Sequence, residues 1–583
     1  MSAQKLITEH LDLWTGATVR KSSSGRGSNR KIELSGIKKL RELILDLAVR
    51  GKLVGRSLSG TSSANLISEL ENSKARLFTL NKRKNSGVVR FAPKEDCPFD
   101  IPKTWSWHTL GALGHTQTGS TPAKSNSALF GADIPFLKPG DISENGKIFY
   151  ENEGLSEAGK SALGKWAEKD SILMVCIGTI GKCGLIDRQC TLNQQINAIT
   201  PYITETSKFL FLCLRSPYFQ KAAWERSSST TISILNKGKW EAIPVPLPPL
   251  EEQRLIVQKV DELMALCDRL EQQTSDQLEA HETLVDTLLG TLTQSEDATD
   301  LADNWARLAT HFDTLFTTEQ SIEKLKQTIL QLAVMGRLVE QDEGDEPTSR
   351  LLRRIAEDRK KLVFEGMAKE GSSLPELAEA EKPFKIPTGW LWTRIQNVSE
   401  FITSGSRDWA KYQSDSGAIF ITMGNLSRGD YRLRMENLRH VSPPAGSEGA
   451  RTSLQTGDIV ISITGDVGNL GLIPDNFGEA YINQHSCLVR ISSLCRNRYF
   501  AEFLRSPCAK AQFDEPQRGI KNSFRLSDMA NMAIPLPPLE EQHRIVQKVD
   551  ELMALCDQLK EGLSEASKIR CQLADAIVEG ALH

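Results

Sequence analysis

Apolar residues recur every three to four positions in two long, otherwise polar stretches of the chain. This spacing is typical of an amphipathic helix with a coiled-coil-like seam. The first seam weakens between residues 272 and 282 and recovers at Leu284 and Leu288, whereas the second continues to Leu573 and Ile577. The clearest seam positions are Ile256, Val260, Leu263, Cys267 and Leu270 in the first stretch, and Ile545, Val549, Leu552, Cys556 and Leu559 in the second.

The two stretches are near-copies of each other. PLPPLEEQRLIVQKVDELMALCDRLE begins at Pro246 and returns at Pro535 with four differences. Proline excludes the lead PLPPL from a helix interior, and the paired acids after it suit a helix N-terminus. The simplest interpretation of this apolar spacing is two ordinary amphipathic helices. A core tolerates many apolar solutions, so near-identity favours two faces that bind the same partner. The candidate partner-binding residues are Ile256, Val260, Leu263, Leu270, Ile545, Val549, Leu552 and Leu559.

Other motifs are duplicated in the same order. IKKLRELILDLAVRGKLV (37–54) returns as IEKLKQTILQLAVMGRLV (322–339), and PFDIPKTWSW (98–107) returns as PFKIPTGWLW (383–392). The chain is therefore an internal duplication, in which both halves carry the same motifs in the same order. The repeat divides the chain into a helical region 1–97, a globular block 98–250, a helical region 251–382, a second block 383–539 and a final long helix 540–583.

The two globular blocks share short apolar runs beside glycine. SILMVCIGTIGKCGLI (171–186) parallels DIVISITGDVGNLGLI (458–473), and DIPFLKPGDI (133–142) parallels AIFITMGNL (418–426). Such runs predict short strands with glycine turns, hence two mixed α/β domains.

Polar and basic loops diverge between these landmarks. Arg and Lys suit guanine and phosphate, and Asn and Gln suit adenine, so divergent loops of this composition are candidates for DNA contact. For any single residue an ordinary solvated side chain is the alternative. The candidates are Ser120, Lys124, Ser125, Asn126, Lys138, Thr179, Lys182, Gln194, Thr230, Lys237, Arg407, Lys411, Asn425, Arg428, Arg432, Arg434, Asn469, Gln484, Arg518, Lys521, Asn522 and Arg525.

Composition and charge limit the cellular compartments and the classes of partner that suit this chain. The net charge of −3 hides a basic first region and an acidic central helical region. The Gly/Ser-rich basic stretch 20–31 is either a DNA-phosphate contact or a solvated linker. No apolar run approaches a membrane span, and the N-terminus has no signal-peptide core. Eleven cysteines without CxxC pairs argue against zinc and predict reduced thiols in a cytoplasmic protein.

Signatures of catalysis are missing from the sequence. GTIGKCG (178–184) and GDVGNLG (465–471) are glycine-rich but are not followed by the Lys-Ser/Thr of a phosphate-binding loop. The chain has no [DNS]PP[YFW] motif of an amino-methyltransferase, no HExxH and no GxSxG. We therefore expect no catalytic and no metal-ligating residue.

Together the duplicated helices, the PLPPLEEQ exits and the divergent blocks resemble the specificity (S) subunit of type I restriction–modification systems, in its longer subclass. The landmarks TGSTPAKSN, GADIPFLKPGDI and GTIGKCG resemble the target-recognition domains of that family. The resemblance implies an α+β fold, with two mixed α/β target-recognition domains separated by long antiparallel coiled-coil-like helices and a pseudo-two-fold internal repeat. Lys182 has no counterpart in GDVGNLG, so its role need not be shared.

The resemblance also implies a function. Each target-recognition domain would read one half of a split double-stranded DNA site. The helices would bind two modification (methyltransferase) subunits, and restriction (motor-nuclease) subunits would join them. The chain itself would need no cofactor, because S-adenosylmethionine, ATP and Mg²⁺ would be used by the partners. Two alternatives stay open: a nuclease or methyltransferase with an unrecognised site, and a coiled-coil adaptor without DNA contact.

Overall fold

The computed structural model of the protein describes residues 9–20, 32–55, 63–80, 91–123, 125–229, 232–295, 298–365, 374–407, 409–444, 446, 449, 452–515 and 523–582. The chain forms two compact units. The first comprises residues 1–277 with 565–583, and the second comprises residues 278–564. Each unit combines helices with short-stranded sheets, which confirms the predicted α+β class.

The first unit places a helical scaffold beside a small mixed domain. Its elements, in chain order, are α1 (Leu11–Gly16), β1 (Val19–Arg20), β2 (Ile32–Glu33), α2 (Ser35–Val49), α3 (Ser63–Leu80), β3 (Ser106–Thr109), α4 (Leu110–Leu113), β4 (Gly114–Thr118), β5 (Phe130–Leu137), β6 (Gly154–Leu155), α5 (Glu157–Leu163), β7 (Ile172–Val175), β8 (Cys183–Leu185), β9 (Thr191–Leu192), β10 (Ile196–Pro201), α6 (Ser207–Arg215), α7 (Pro217–Arg226), β11 (Ser228–Ser229), β12 (Ser233–Ile234), α8 (Lys237–Glu241), β13 (Pro244–Leu247) and the first part of α9 (Leu250–Gln294).

The second unit repeats this order with different small elements. It contains the rest of α9, then α10 (Ala298–Ala309), α11 (Phe312–Leu315), α12 (Glu319–Val334), α13 (Thr348–Phe364), β14 (Leu391–Arg394), α14 (Ile395–Val398), β15 (Ser399–Ser404), β16 (Gln413–Ser414), β17 (Ala418–Ile421), β18 (Arg439–Val441), β19 (Ile459–Ser462), β20 (Leu470–Leu472), β21 (Ala480–Ile482), β22 (Ser486–Ile491), α15 (Tyr499–Arg505), α16 (Pro507–Asp514), α17 (Leu526–Asn531), β23 (Ala533–Leu536) and most of α18 (Leu539–Leu582).

Each unit has a four-stranded antiparallel sheet at its centre. The strand order is β4-β10-β7-β8 in the first unit and β15-β22-β19-β20 in the second. Strands β7 and β19 are buried along their whole length, which explains why both read as continuous apolar runs. A smaller sheet packs beside each, in the orders β6-β5-β9 and β16-β18-β17-β21.

A two-stranded ribbon joins each mixed domain to its helices. β3 pairs with β13, placing Trp107 opposite Pro246, and β14 pairs with β23, placing Trp392 opposite Pro535. The entry and exit of each domain are therefore adjacent, and both lead into the duplicated motifs.

The repeated PLPPLEEQ motif has a local structural reason. The Gln253 side chain donates from Nε2 to the Pro248 carbonyl oxygen at 2.9 Å, and Gln542 donates to the Pro537 carbonyl oxygen at 3.0 Å. A proline has no N–H and interrupts regular backbone pairing, so a buried side chain that returns to this carbonyl satisfies it. Part of the near-identity thus reflects how each long helix begins.

A repeated glycine ends the helix α2 and its counterpart α12. Gly51 and Gly336 have φ values of +68° and +70°, which favour glycine. A Cβ atom would lie 2.6 Å from Pro102 Cγ in the first unit and 2.5 Å from Pro387 Cγ in the second. The close approach of each glycine backbone to a proline ring therefore explains why both halves keep glycine in the motif AVxGxLV.

The scaffold of the second unit shows the direction of its helices. Along α12 and the residues that follow it, later residues contact later residues of α9, whereas later residues contact earlier residues of α18. The end of α9 and α18 are therefore antiparallel within this unit, as predicted. The side-chain contacts are Lys324–Asp286 (2.7 Å) and Arg337–Thr293 (3.1 Å) on one side, and Lys326–Asp557 (2.5 Å) and Gln341–Glu541 (2.6 Å) on the other.

The predicted seam is correct at its start and wrong farther along. Ile256 and Val260 are buried, but Leu284 and Leu573 are about half exposed, and the buried neighbours are Val285 and Ala574. A straight α-helix drifts by about 20° per heptad relative to a 3.5-residue repeat. Extrapolating the seam over several turns therefore selected a residue one position away from the buried face.

Candidate nucleic-acid interface

Loops from several strands meet at one end of the central sheet in the first unit. β4 ends and β10 begins there, and Gly119 N donates to Ile196 O at 3.0 Å. The loop after β7 joins them, because Cys176 N donates to Gln195 O at 2.8 Å. Residues that are far apart in sequence thereby share one surface.

Five predicted DNA contacts lie at this end. Thr179 and Gln194 are exposed, and Ser120, Lys138 and Lys182 are partly buried. Lys138 lies at this end because β5 runs parallel to β9 and ends beside Asn193, whose N–H donates to Leu137 O at 3.0 Å. Its ammonium group is paired with Glu153. We call Ser120, Lys138, Thr179, Lys182 and Gln194 the first sheet-end surface.

A hairpin extends this surface. β11 and β12 pair antiparallel, and the Gly178 N–H donates to Ser233 O at 3.0 Å. Gly178 has a φ of +81°, a conformation that suits glycine in the exposed turn before Thr179. The glycine-rich run that lacked a phosphate-binding signature is therefore a turn at the sheet end.

The second unit builds the corresponding end from different side chains. Ile463 N donates to His485 O, and Phe524 N donates to Ile463 O, both at 2.9 Å. Ser406 forms a bridge with Asn483. The predicted contacts here are Arg407, Arg428 and Arg525, all exposed, and the partly buried Gln484. We call Arg407, Arg428, Gln484 and Arg525 the second sheet-end surface.

Hydrogen bonds hold parts of the second surface in place. Arg428 Nη2 lies 3.0 Å from an Asp466 carboxylate oxygen and donates to Val467 O at 2.7 Å. Thr464 Oγ1 and His485 Nδ1 are 2.8 Å apart, and His485 Nε2 and Gln484 Nε2 are 3.0 Å apart. The sequence reasoning missed Thr464 and His485. Their position in the paired landmarks IGTIG/TGDVG and NQQ/NQH was the signal available for them.

Two predicted contacts are used inside the protein. Asn425 is 3 % exposed, donates to Arg434 O at 2.9 Å and accepts from Thr422 N at 2.9 Å. Its counterpart Asp141 accepts from Lys138 N in the same turn, at 2.7 Å. Asn469 is 9 % exposed and donates to Asp466 Oδ2 at 3.0 Å. Their amides therefore stabilise turns.

Lys237 lies away from the sheet end. Its ammonium group is 2.9 Å from Glu241 and donates to the Thr116 carbonyl oxygen at 3.3 Å, partway along β4. The remaining described candidates Ser125, Asn126, Lys411, Arg432 and Arg434 are exposed in other loops. Candidates Lys124, Thr230, Arg518, Lys521 and Asn522, and most of the basic stretch 20–31, lie outside the described residues.

The candidate partner-binding side chains point into their own units. Ile256, Val260, Leu263, Ile545 and Val549 are at most 4 % exposed, while Leu270, Leu552 and Leu559 are partly buried. The two copies expose a different set of identical side chains on the opposite helix face. These are Glu251, Gln258, Asp261, Glu262 and Ala265, repeated as Glu540, Gln547, Asp550, Glu551 and Ala554.

The sheet-end surfaces carry hydrogen-bonding and cationic groups. The one thiol at the start of the glycine-rich turn, Cys176, is buried, and burial raises its pKa to about 12. It is therefore a neutral packing group at physiological pH. Within the part of the chain that the structure describes, no cluster of three or more His, Cys, Asp or Glu residues is arranged to hold a metal ion. No described helix is long and apolar enough to cross a membrane.

Each unit thus carries a similar sheet end with its own set of polar side chains, and each sheet end is joined to one copy of the duplicated helices. The family model for the type I restriction modification DNA specificity domain matches residues 102–280 and 396–566. The chain belongs to the type I restriction–modification specificity subunits, which confirms the predicted resemblance.

Full-length relatives support this assignment. The chain is 34% identical over 603 residues to the type I restriction enzyme EcoAI specificity subunit of Escherichia coli, covering 100% of both chains. It is 33% identical over 614 residues to the EcoEI specificity subunit of Escherichia coli, again covering 100% of both chains. The solved HsdS subunit from Thermoanaerobacter tengcongensis is 19% identical, with a TM-score of 0.40, and the match covers 84% of this chain and 98% of that chain.

Proposed function

We propose that this chain reads a two-part duplex DNA site, one part through each sheet-end surface, and performs no catalysis itself. The observation that carries the proposal is that the same sheet end is built twice, with one glutamine shared (Gln194 and Gln484) and otherwise different side chains. Lys182, Thr179 and Gln194 stand in one. Arg407, Arg428 and Gln484 stand in the other. Guanidinium, ammonium and amide groups are those that reach base edges and phosphates.

The duplicated helices support a partner role. The identically exposed side chains include Gln258 and Glu262, which are hydrogen-bonded at 3.1 Å, and Gln547 and Glu551, which are 3.4 Å apart. Equal faces suit two copies of one partner, a modification (methyltransferase) subunit. That partner transfers a methyl group from S-adenosylmethionine to adenine N6. Restriction (motor-nuclease) subunits, which use ATP and Mg²⁺, then join the assembly.

The proposal that the chain performs no catalysis itself can be tested directly. Purified chain is incubated with labelled S-adenosylmethionine and duplex DNA, first alone and then with the modification subunit. We expect incorporation into adenine only in the second mixture. Incorporation by the chain alone would favour the alternative of an enzyme with an unrecognised site.

The DNA surface is tested by salt dependence. Each phosphate contact contributes about 1 to the slope of log affinity against log salt. We expect Lys182→Ala, in the complex with the modification subunit, to weaken binding to a methylation-mapped duplex. The substitution should also lower the slope by about 1 if Lys182 meets a phosphate.

Lys237→Ala is the matched control, because its ammonium group is bonded to Glu241 and Thr116 within the unit. We expect it to leave the salt slope unchanged. Binding that is lost equally in both variants would contradict the assignment of this surface. Failure of the wild-type complex to retain any duplex at low salt would favour an adaptor without DNA contact.

A further inference from the structure

A cleft in the second unit occupies the place that an aromatic side chain fills in the first. It has a volume of about 830 Å³ and lies where α12, α16 and the segment 380–384 meet. Phe384, Cys508, Met335, Gln512, Glu381 and Glu515 are among its lining residues. This cleft is independent of the sheet-end surfaces, and no part of the DNA-reading role uses it.

The first unit shows what belongs in this position. Tyr218, the second residue of α7, packs edge-on against Phe99, with ring centroids 5.2 Å apart and an interplanar angle of 86°. It also packs against Trp107 at 6.0 Å. The Arg50 guanidinium lies 4.3 Å from the centroid of Phe99. One phenylalanine thus receives both a ring and a cation from its own chain.

The described part of the second unit keeps the receiving rings but has no aromatic side chain at the position of Tyr218. Phe384 and Trp392 have ring centroids 5.0 Å apart, as do Phe99 and Trp107. Cys508 stands where the first unit has Tyr218, at the second residue of α16. The equivalence is fixed by backbone bonds, because Tyr218 N donates to Asp46 and Cys508 N donates to Gln331, at the same step of the repeat.

The cation is replaced in the same way. Met335 stands where the first unit has Arg50, in the paired motifs LAVRG and LAVMG. The cleft carries two carboxylates, Glu381 and Glu515, and the first of these is 3.1 Å from Arg394. Glu515 is exposed at the end of α16. Among the described lining residues, the cleft therefore has no ring at the Tyr218 position and no cation at the Arg50 position, and the exposed carboxylate of Glu515 makes its rim acidic.

In the second unit, a different residue makes the hydrogen bond that the Tyr218 hydroxyl makes in the first unit. In the first unit it donates to Pro244 O at 3.1 Å. In the second unit the equivalent acceptor, Ala533 O, receives the Gln512 amide at 2.9 Å. An incoming ring thus needs no hydroxyl group, and a phenylalanine suffices.

We propose that this cleft binds a segment of a protein partner in which an aromatic side chain stands next to an arginine. The ring takes the position of Tyr218 against Phe384, and the guanidinium takes the position of Arg50 beside the acidic rim. Since the first unit fills the same place with its own side chains, this contact occurs once per chain. The duplicated helix faces, by contrast, are present twice.

Ligand-observed fluorine NMR with purified full-length chain tests this proposal. The probe is N-acetyl-4-fluorophenylalanyl-arginine amide at about 1 mM, a concentration suited to weak contacts. We expect its fluorine line to broaden with the wild-type protein, and to broaden less when glutamate replaces arginine in the peptide.

Two variants decide the outcome. Cys508→Tyr places in the cleft the ring that the first unit uses, and we expect it to abolish broadening. Glu515→Lys changes only an exposed rim charge, and we expect it to reverse the preference between the two peptides. Unchanged broadening with a folded Cys508→Tyr protein, equal broadening by the two peptides, or no broadening with the wild type would each overturn the proposal. DNA binding measured on the same samples reports separately on the sheet-end surfaces.

Discussion

The two central sheets carry different side-chain pairs at equivalent buried positions, a neutral hydroxyl pair in one and an ion pair in the other. Ser171 and Thr200 face each other across β7 and β10, and their hydroxyl oxygens are 2.7 Å apart. At the corresponding positions of β19 and β22, Asp458 and Arg490 form a buried ion pair at 2.6 Å. Asp458 is fully buried, and the guanidinium also lies 4.6 Å from the Phe401 ring centroid.

This difference shows which part of a duplicated fold is free to vary. The backbone ladder requires only that the two side chains satisfy each other, so either a neutral pair or an ion pair fits. The two pairs differ, however, in the free-energy cost of losing one partner. A buried charge that loses its partner costs several kcal/mol, whereas a hydroxyl pair contributes about 1 kcal/mol.

The largest expected effect breaks the ion pair. Asp458→Asn leaves the Arg490 guanidinium buried beside a neutral amide, and we expect a loss of about 3–5 kcal/mol in the free energy of unfolding of the second sheet. Ser171→Ala is the matched control and should cost about 1 kcal/mol. Hydrogen exchange of peptides from β19 and β7 measures each unit separately. Equal losses at the two sites would contradict this comparison.

A double-mutant cycle sharpens the same comparison. We expect the coupling energy between Asp458 and Arg490 to be a few kcal/mol, because either single substitution strands the other group. The cycle on Ser171 and Thr200 should give no more than about 1 kcal/mol. The replacement of both Asp458 and Arg490 by serine and threonine should therefore be less harmful than the sum of the single changes. Additive effects in the second unit would refute the coupling.

The start of the second long helix predicts a pH effect. Burial raises the pKa of the Glu541 carboxyl above its ordinary value, even though the carboxylate accepts from Trp390 Nε1 at 2.8 Å. The folded state therefore holds the proton more tightly than the unfolded state. Stability conferred by the protonated form is present at pH values below the unfolded pKa and is lost as the pH rises through the folded pKa.

We expect Glu541→Gln to flatten the fall in unfolding free energy as the pH rises through the mildly acidic range. Glu540→Gln, at the exposed neighbouring position, is the control. Urea unfolding across that pH range provides the measurement. A wild-type protein that gains stability with rising pH relative to Glu541→Gln would have the wrong sign.

The smallest expected effects concern equivalent surface ion pairs of the scaffolds. Arg41 lies 2.7 Å from Asp268, whose side chain is 70% exposed, and Lys326 lies 2.5 Å from Asp557, which is 67% exposed. Exposed pairs contribute between 0 and about 1 kcal/mol. Asp268→Asn and Asp557→Asn should each shift the unfolding free energy by no more than that, and a loss above about 2 kcal/mol would show that these pairs matter more than their exposure indicates.

The sequence was most informative where a pattern is local or duplicated. The α+β class and the helices around Ile256 and Ile545 followed from periodicity and repetition. The sheet-end surfaces were predicted only in part, because the parallel pairing of β5 and β9, which no local pattern encodes, is what brings Lys138 and Gln194 to the same end of the fold. Asn425 and Asn469 were chosen by residue type, but a turn uses their amides internally.

The central claim is that each sheet-end surface reads one part of a DNA site. Because the entry and exit strands β3 and β13 pair with each other, we expect residues 98–245 to be exchangeable as one block. The decisive measurement maps methylated adenines in DNA from cells that carry the partners and a chain whose block 98–245 comes from a relative of different specificity. The account predicts that one half of the mapped site changes and the other half is unchanged. A change in both halves, or in neither while methylation persists, would contradict it.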